Sequence, residues 1–179
     1  MPTYIALYRG INVGGNNQVK MEALCAFHER LGHRDVRHYI QSGNIIFTAT
    51  RPAAAHARKL ALAFEKEFGF AARVLVVDAQ AWRELVKNNP YAGAAEKEPK
   101  TVHAAVCEGP PSEQSLKALL AKTGGKERYT IRDRVLYLRT PDGFGTSKFA
   151  VGMEKACGVP ITARNWRTVL AIHALLDDK

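Results

Sequence analysis

The period of apolar positions changes repeatedly along the chain, and each change marks an element boundary. Thr3–Arg9 is an apolar run of strand length. In Lys20–Leu31 the residues Met21, Leu24, Cys25, Phe27, His28 and Leu31 fall near one helical face. Gly32 follows as a C-terminal stop. Asp35–Ile40 and Asn44–Ala49 predict strands joined through Gln41-Ser42-Gly43, a hairpin signal. Pro52–Phe68 predicts an alanine-rich helix that opens on proline and ends before Gly69. Ala72–Val77 closes the set as a β-branched strand. Strand, helix, strand, strand, helix, strand is the ferredoxin-like split βαβ order.

The same order repeats downstream. After a helix at Ala79–Asn88 come a turn-rich stretch, Asn89–Gly93, and a charged run, Glu96–Lys100, that reads as exposed linker. Thr101–Cys107 predicts a strand, Ser112–Lys122 a helix, and Arg128–Arg132 with Val135–Arg139 a hairpin around Asp133-Arg134. Ser147–Cys157 predicts a helix, Ile161–Ala163 a short strand and Asn165–Leu176 a terminal helix. The expected fold is α+β: two ferredoxin-like (βαββαβ) halves, residues 1–78 and 99–179, with a connecting helix and linker over 79–98. Tyr4, Ala6 and Tyr8 on one side of the first strand and Ile5 and Leu7 on the other leave neither face polar. Both faces are therefore expected to be buried, with the antiparallel sheets packed or joined. A free sheet that stacks bases, as in RNA-recognition folds, does not suit that pattern.

Topology then places the loops. In a split βαβ the first βα loop and the hairpin between strands two and three share one end of the sheet. Arg9–Asn17, with three glycines and three asparagines, is thereby expected to face Gln41–Asn44. Arg9, Asn12, Gly14, Gly15, Lys20, Gln41, Ser42 and Asn44 form a first candidate cluster of amide, guanidinium and flexible N–H donors. In the second half, Gly145-Thr146-Ser147-Lys148 ahead of a helix and Arg164-Asn165-Trp166-Arg167 at a strand exit form a second. Thr146 or Ser147 can cap that helix, the cations can neutralise phosphate, and Trp166 can stack on a ring. Neither Gly-x-Gly-x-x-Gly nor Gly-x-x-x-x-Gly-Lys-Ser/Thr is present, so no nucleotide fingerprint is met.

Charge sharpens the expectation. The chain of 179 residues carries 26 Lys and Arg against 17 Asp and Glu, a net charge of +9 spread over both halves. Such a surplus favours an anionic partner, nucleic acid or a nucleotide or phosphate. Cys25, Cys107 and Cys157 are odd in number and far apart, and read as packing residues rather than a disulfide or zinc set. The histidines at 28, 33, 38, 56, 103 and 173 show no metal-ligand spacing. Neither a metal nor a cofactor is expected. No apolar run reaches the roughly 20 residues that span a bilayer, and no secretory leader pattern opens the chain. The expected location is cytoplasmic, with no membrane partner.

At these same residues the chain resembles a known group. Tyr4–Gly15 (YIALYRGINVGG), Met21–Leu24, Tyr39–Phe47 (YIQSGNIIF) and Thr162–Val169 (TARNWRTV) are similar to the bacterial domain of unknown function 1697 family. The likeness runs through nearly the whole chain. It implies ferredoxin-like α/β halves and no established activity or catalytic set. The first functional expectation is thus a protein that binds an anionic ligand through the two clusters. An enzyme acting on a small phosphorylated substrate in a cleft between the halves is the alternative, with Tyr8, Tyr39, His38 and Asp142 as proton-transfer candidates. A protein-interaction module is the third. Ligand, reaction and oligomeric state are left open by the sequence.

Overall fold

The computed structural model describes residues 1–177 and resolves two compact units. Met1–Glu84 with the segment from Ala171 makes the first, and Leu85–Leu170 the second. The boundaries fall inside helices rather than in the charged run.

In the first unit β1 (Thr3–Arg9), α1 (Met21–Arg30), β2 (Arg34–Tyr39), β3 (Asn44–Thr48), α2 (Ala53–Phe68) and β4 (Arg73–Asp78) follow in order. The sheet runs β2-β3-β1-β4 with every neighbouring pair antiparallel. Period-2 alternation sends Tyr4, Ala6 and Tyr8 of β1 into a core with Leu24 and Phe27 of α1 and Leu60 and Phe64 of α2. Ile5, Leu7 and Ile46, on the other face, are also fully buried. Both faces of this sheet are covered, as the apolar pattern predicts.

The second unit repeats the order after α3 (Ala79–Lys87), which spans the boundary. It contains β5 (Val102–Cys107), α5 (Glu113–Thr123), β6 (Arg128–Arg132), β7 (Val135–Arg139), α6 (Lys148–Cys157) and β8 (Ile161–Asn165). α7 (Trp166–Asp177) ends the described chain. The sheet runs β6-β7-β5-β8, again antiparallel throughout. Ala105, Leu136 and Leu138 meet Leu116 of α5 and Phe149 and Met153 of α6 in its core. Cys107 and Cys157 are buried in the same core, while Cys25 of the first unit is half-buried. The two ladders are separate four-stranded sheets, one per unit, each in ferredoxin-like order.

One stretch differs from the sequence expectation. Where glycine and prolines predict turn and linker, Ala92–Lys97 forms a helix (α4) and Pro99–Thr101 a 3₁₀ turn. Three alanines raise helix propensity there, and burial of Ala95 fixes the segment. Gly93 is tolerated because it sits in the first turn, and Pro99 needs no N–H at the start of the 3₁₀ turn.

Candidate functional site

The first cluster comes together as topology requires. Asn12 Nδ2 donates to the Gln41 carbonyl at 2.8 Å, across the gap between the β1–α1 loop and the β2–β3 hairpin. The same amide donates to the Val19 carbonyl at 2.9 Å, and Asn12 Oδ1 accepts from the Val19 N–H at 2.7 Å. Asn44 is fully buried and donates to Ser42 Oγ at 2.8 Å and to the Tyr39 carbonyl at 3.2 Å. Tyr8 N–H donates to the Gly43 carbonyl at 2.8 Å, so the hairpin lies flat on β1. Gly43 has φ +70°, and a Cβ there would stand 2.7 Å from both Tyr8 Cβ and Ile11 Cδ1. Only glycine fits that contact. The amides of Asn12 and Asn44 thus bond to this chain's own loop atoms. Gly14, Gly15, Arg9 and Lys20 are exposed around them, with Gln41 exposed and Ser42 half-buried.

The second cluster contributes to a concave site. Ahead of α6 lies a cleft of about 200 Å³, lined by Thr123, Gly125–Glu127, Thr140–Gly143 and Thr146–Lys148. Ser147 is its structural pivot. Its Oγ accepts from the Ala150 N–H at 3.0 Å, capping α6, and donates to Glu127 Oε1 at 2.5 Å. Glu127 Oε2 is buried in the cleft wall without a partner. A side chain at Gly125 would collide with that carboxylate. Thr146 Oγ1 donates to the Asp142 carbonyl at 2.8 Å and tightens the loop. Lys126 Nζ stands 3.6 Å from Asp142 Oδ2, both well exposed, and Lys148 is exposed beside them. The cleft therefore joins two ammonium groups, two carboxylates and the positive end of a ten-residue helix.

Arg164–Arg167 reach the same end of the sheet but do not line the cleft. Asn165 pairs with His103 across β8 and β5, and the His103 ring stacks on Phe144 with centroids 4.1 Å apart. Burial pushes the His103 imidazole down to about 4. Asn165 Oδ1 accepts from the Thr168 N–H at 3.0 Å and caps α7. Arg164 Nη1 donates to the Ala163 carbonyl, and Arg167 is exposed. Trp166 is 5% exposed, which leaves its ring packed rather than presented for stacking. Glu127 and Lys126 were not among the residues expected here. Between Lys126 and Arg128, Glu127 reads as one more solvated charge, and only the fold turns it toward Ser147.

A second feature is invisible to local spacing. Tyr8 Oη lies 2.9 Å from His28 Nε2, His28 Nδ1 lies 3.0 Å from His33 Nδ1, and His33 Nε2 lies 3.2 Å from His56 Nδ1. These four groups make one buried hydrogen-bonded row through the core of the first unit, flanked by Phe47 stacked on His33. Burial, then the neighbouring rings, lowers His28 well below the usual imidazole value. Burial pushes His33 down to about 4, helped by His56 and Lys59. His56 is lowered by burial and raised by the Arg51 main chain, with a net downward shift. Burial raises the Tyr8 phenol far above its ordinary value, so it stays protonated. Of the other proton-transfer candidates, His38 Nδ1 lies 3.6 Å from Cys25 Sγ, Tyr39 is half-buried, and Asp142 alone lines the cleft. Among the described residues no three metal-ligating side chains converge on one point.

A solved structure shares the whole architecture. A conserved bacterial protein from Streptococcus pneumoniae, SP0830, is 26% identical, superposes with a TM-score of 0.74, and covers 99% of each chain. Among curated proteins nothing matches. Residues 1–137, about three quarters of the chain and all of the first unit's sheet, match the model of the protein family of unknown function DUF1697, and the chain belongs to that family.

Proposed function

We propose that this protein binds a small phosphorylated ligand in the cleft ahead of α6. The observation that carries it is the convergence of Lys126, Lys148 and the capped α6 N-terminus opposite a carboxylate with one uncommitted oxygen. Ser147 Oγ takes the Ala150 N–H, while the other first-turn N–H groups of α6 lie outside the helix's own ladder and, with the two ammonium groups, favour a phosphate. Glu127 Oε2 repels that phosphate but accepts from a hydroxyl or amine on the same ligand, which selects a polyol phosphate over inorganic phosphate. At about 200 Å³ the cleft is smaller than the roughly 300–1,000 Å³ of drug-sized sites. A phosphate with a short hydroxylated stem suits it better than a polymer. The covered sheet faces and the buried Trp166 offer a nucleic acid no stacking platform.

Isothermal titration with ribose 5-phosphate tests the site. Lys148→Ala is expected to weaken binding about tenfold, the worth of one charged hydrogen bond. Absence of binding to the wild type, or equal affinity in Lys148→Ala, overturns the proposal. Glu127 supports a second reading, an enzyme of this substrate class, because a carboxylate in the cleft can serve as general base. Turnover that vanishes in Glu127→Gln while ribose 5-phosphate still binds would establish it.

A further inference from the structure

The opposite face of the second unit's sheet carries a pairing that side-chain chemistry does not explain by itself. Arg128 of β6 and Arg139 of β7 are direct cross-strand partners. Their neighbours Tyr129 and Leu138 turn toward α5 and α6, so both guanidinium groups rise from the face away from those helices. Directly opposed residues hold their Cβ atoms about 5 Å apart, and like charges in that position destabilise a sheet. Among the described residues no carboxylate forms an ion pair with either arginine. Among the described residues Arg139 Nε is buried without a hydrogen-bond partner, which carries a desolvation cost.

Two hydroxyls complete the surroundings. Thr130 lies two residues along β6 on the same face, and Tyr91, leading into α4, reaches over to place its Oη 3.0 Å from Thr130 Oγ1. Burial raises the Tyr91 phenol, while the Thr130 hydrogen bond and the charges of Arg128 and Arg139 draw it back down. The phenol therefore sits within the field of both cations, and no carboxylate acts on it. Planar guanidinium forks match the edges of a tetrahedral oxyanion, each through two N–H groups. A dianion neutralises the pair, whereas a carboxylate leaves one charge over.

We propose that Arg128 and Arg139, with the hydroxyls of Tyr91 and Thr130, form a binding site for a terminal phosphate dianion, separate from the cleft ahead of α6. Bound there, the phosphate relieves the arginine–arginine repulsion and gives Arg139 Nε its missing acceptor. Tyr91 and Thr130 present one further O–H donor between them. The site is independent of the ligand proposed for the cleft, which lies on the α6 side of the same strands.

Amide-resolved NMR titration of the full chain with inorganic phosphate, above its second pKa, tests this. Saturable shifts are expected at Arg128–Thr130 and Arg139, weakened about tenfold in Arg128→Gln and unchanged in Lys148→Ala. Arg128 is exposed on an edge strand, so Arg128→Gln leaves the fold intact and keeps the test decisive. Arg139→Gln is expected to abolish the shifts. Acetate and dimethyl phosphate, each a monoanion, are expected to bind at least tenfold more weakly (about the effect of one lost charge contact). Shifts confined to Gly143–Lys148, an unaltered response in Arg128→Gln, or equal binding of dimethyl phosphate overturns the site.

Discussion

The row Tyr8–His28–His33–His56 shows how single residues set the conditions under which the first unit is stable. Each imidazole is neutral in the folded state because burial and the neighbouring rings oppose its charge. In the unfolded chain the same rings titrate near their ordinary value of about 6.5. Between that value and about 4, where His33 titrates when folded, the unfolded chain binds more protons than the folded one. Stability therefore rises with pH through this window. It is complete above about 6.5 and is lost progressively as pH falls toward 4. Urea denaturation monitored across this range is expected to show a falling midpoint well before the carboxylates titrate. His33→Gln is expected to flatten the slope. A midpoint constant from neutral pH to below 5, roughly a unit above the carboxylates, would contradict the burial of this row.

At the scale of elements, one asparagine holds loop and hairpin together. Asn12 adopts φ 55°, a conformation asparagine tolerates, and from it reaches Val19 on one side and Gln41 on the other. Asn12→Ala strands two carbonyls and one N–H, and is expected to cost about 1–3 kcal/mol. Hydrogen exchange should localise that cost to Val19 and the 41–44 hairpin, with β4 unaffected; protection lost evenly over the unit would deny the clamp. The meeting of these two loops was legible from element order alone, since the strand periods and the glycine at 43 define a split βαβ. The destination of the amides was not. An asparagine donor has the same sequence signature whether it faces a ligand or its own backbone, so Asn12 and Asn44 read as binding residues while the fold spends them on the loop. Glu127 was hidden for a related reason, as a lone acid between two cations. The histidines lie 5 to 28 residues apart in sequence, and only α1, α2 and the loop after α1 bring them into line. α4 was masked by Pro90, Gly93 and Pro99, whose turn signal outweighed three alanines.

Over the whole molecule, the net charge is +9. Arg30–Glu67, Arg83–Asp177, Lys117–Glu113 and Lys126–Asp142 are all exposed pairs, the kind that contributes little in water. A basic surplus of this size sets up a field that favours expansion and attracts anions. These two consequences respond to salt differently. General screening needs the Debye length to shrink toward 10 Å, at about 0.1 M, and does not distinguish one anion from another of equal ionic strength. Occupied sites saturate at low concentration and stabilise by about 2.7 kcal/mol when the ligand stands at 100 times its Kd. For a unit the size of Leu85–Leu170 that melts as its own step, that is a rise of roughly 11–22 °C in melting temperature. Sodium phosphate in the low millimolar range is expected to raise the melting step of the second unit while sodium chloride at matched ionic strength does not. Arg128→Gln is expected to remove most of the difference between the two salts, and Lys148→Ala to leave it in place. If phosphate and chloride trace one curve in the wild type, the arginine-pair site falls, while the cleft ahead of α6 stands or falls on ribose 5-phosphate.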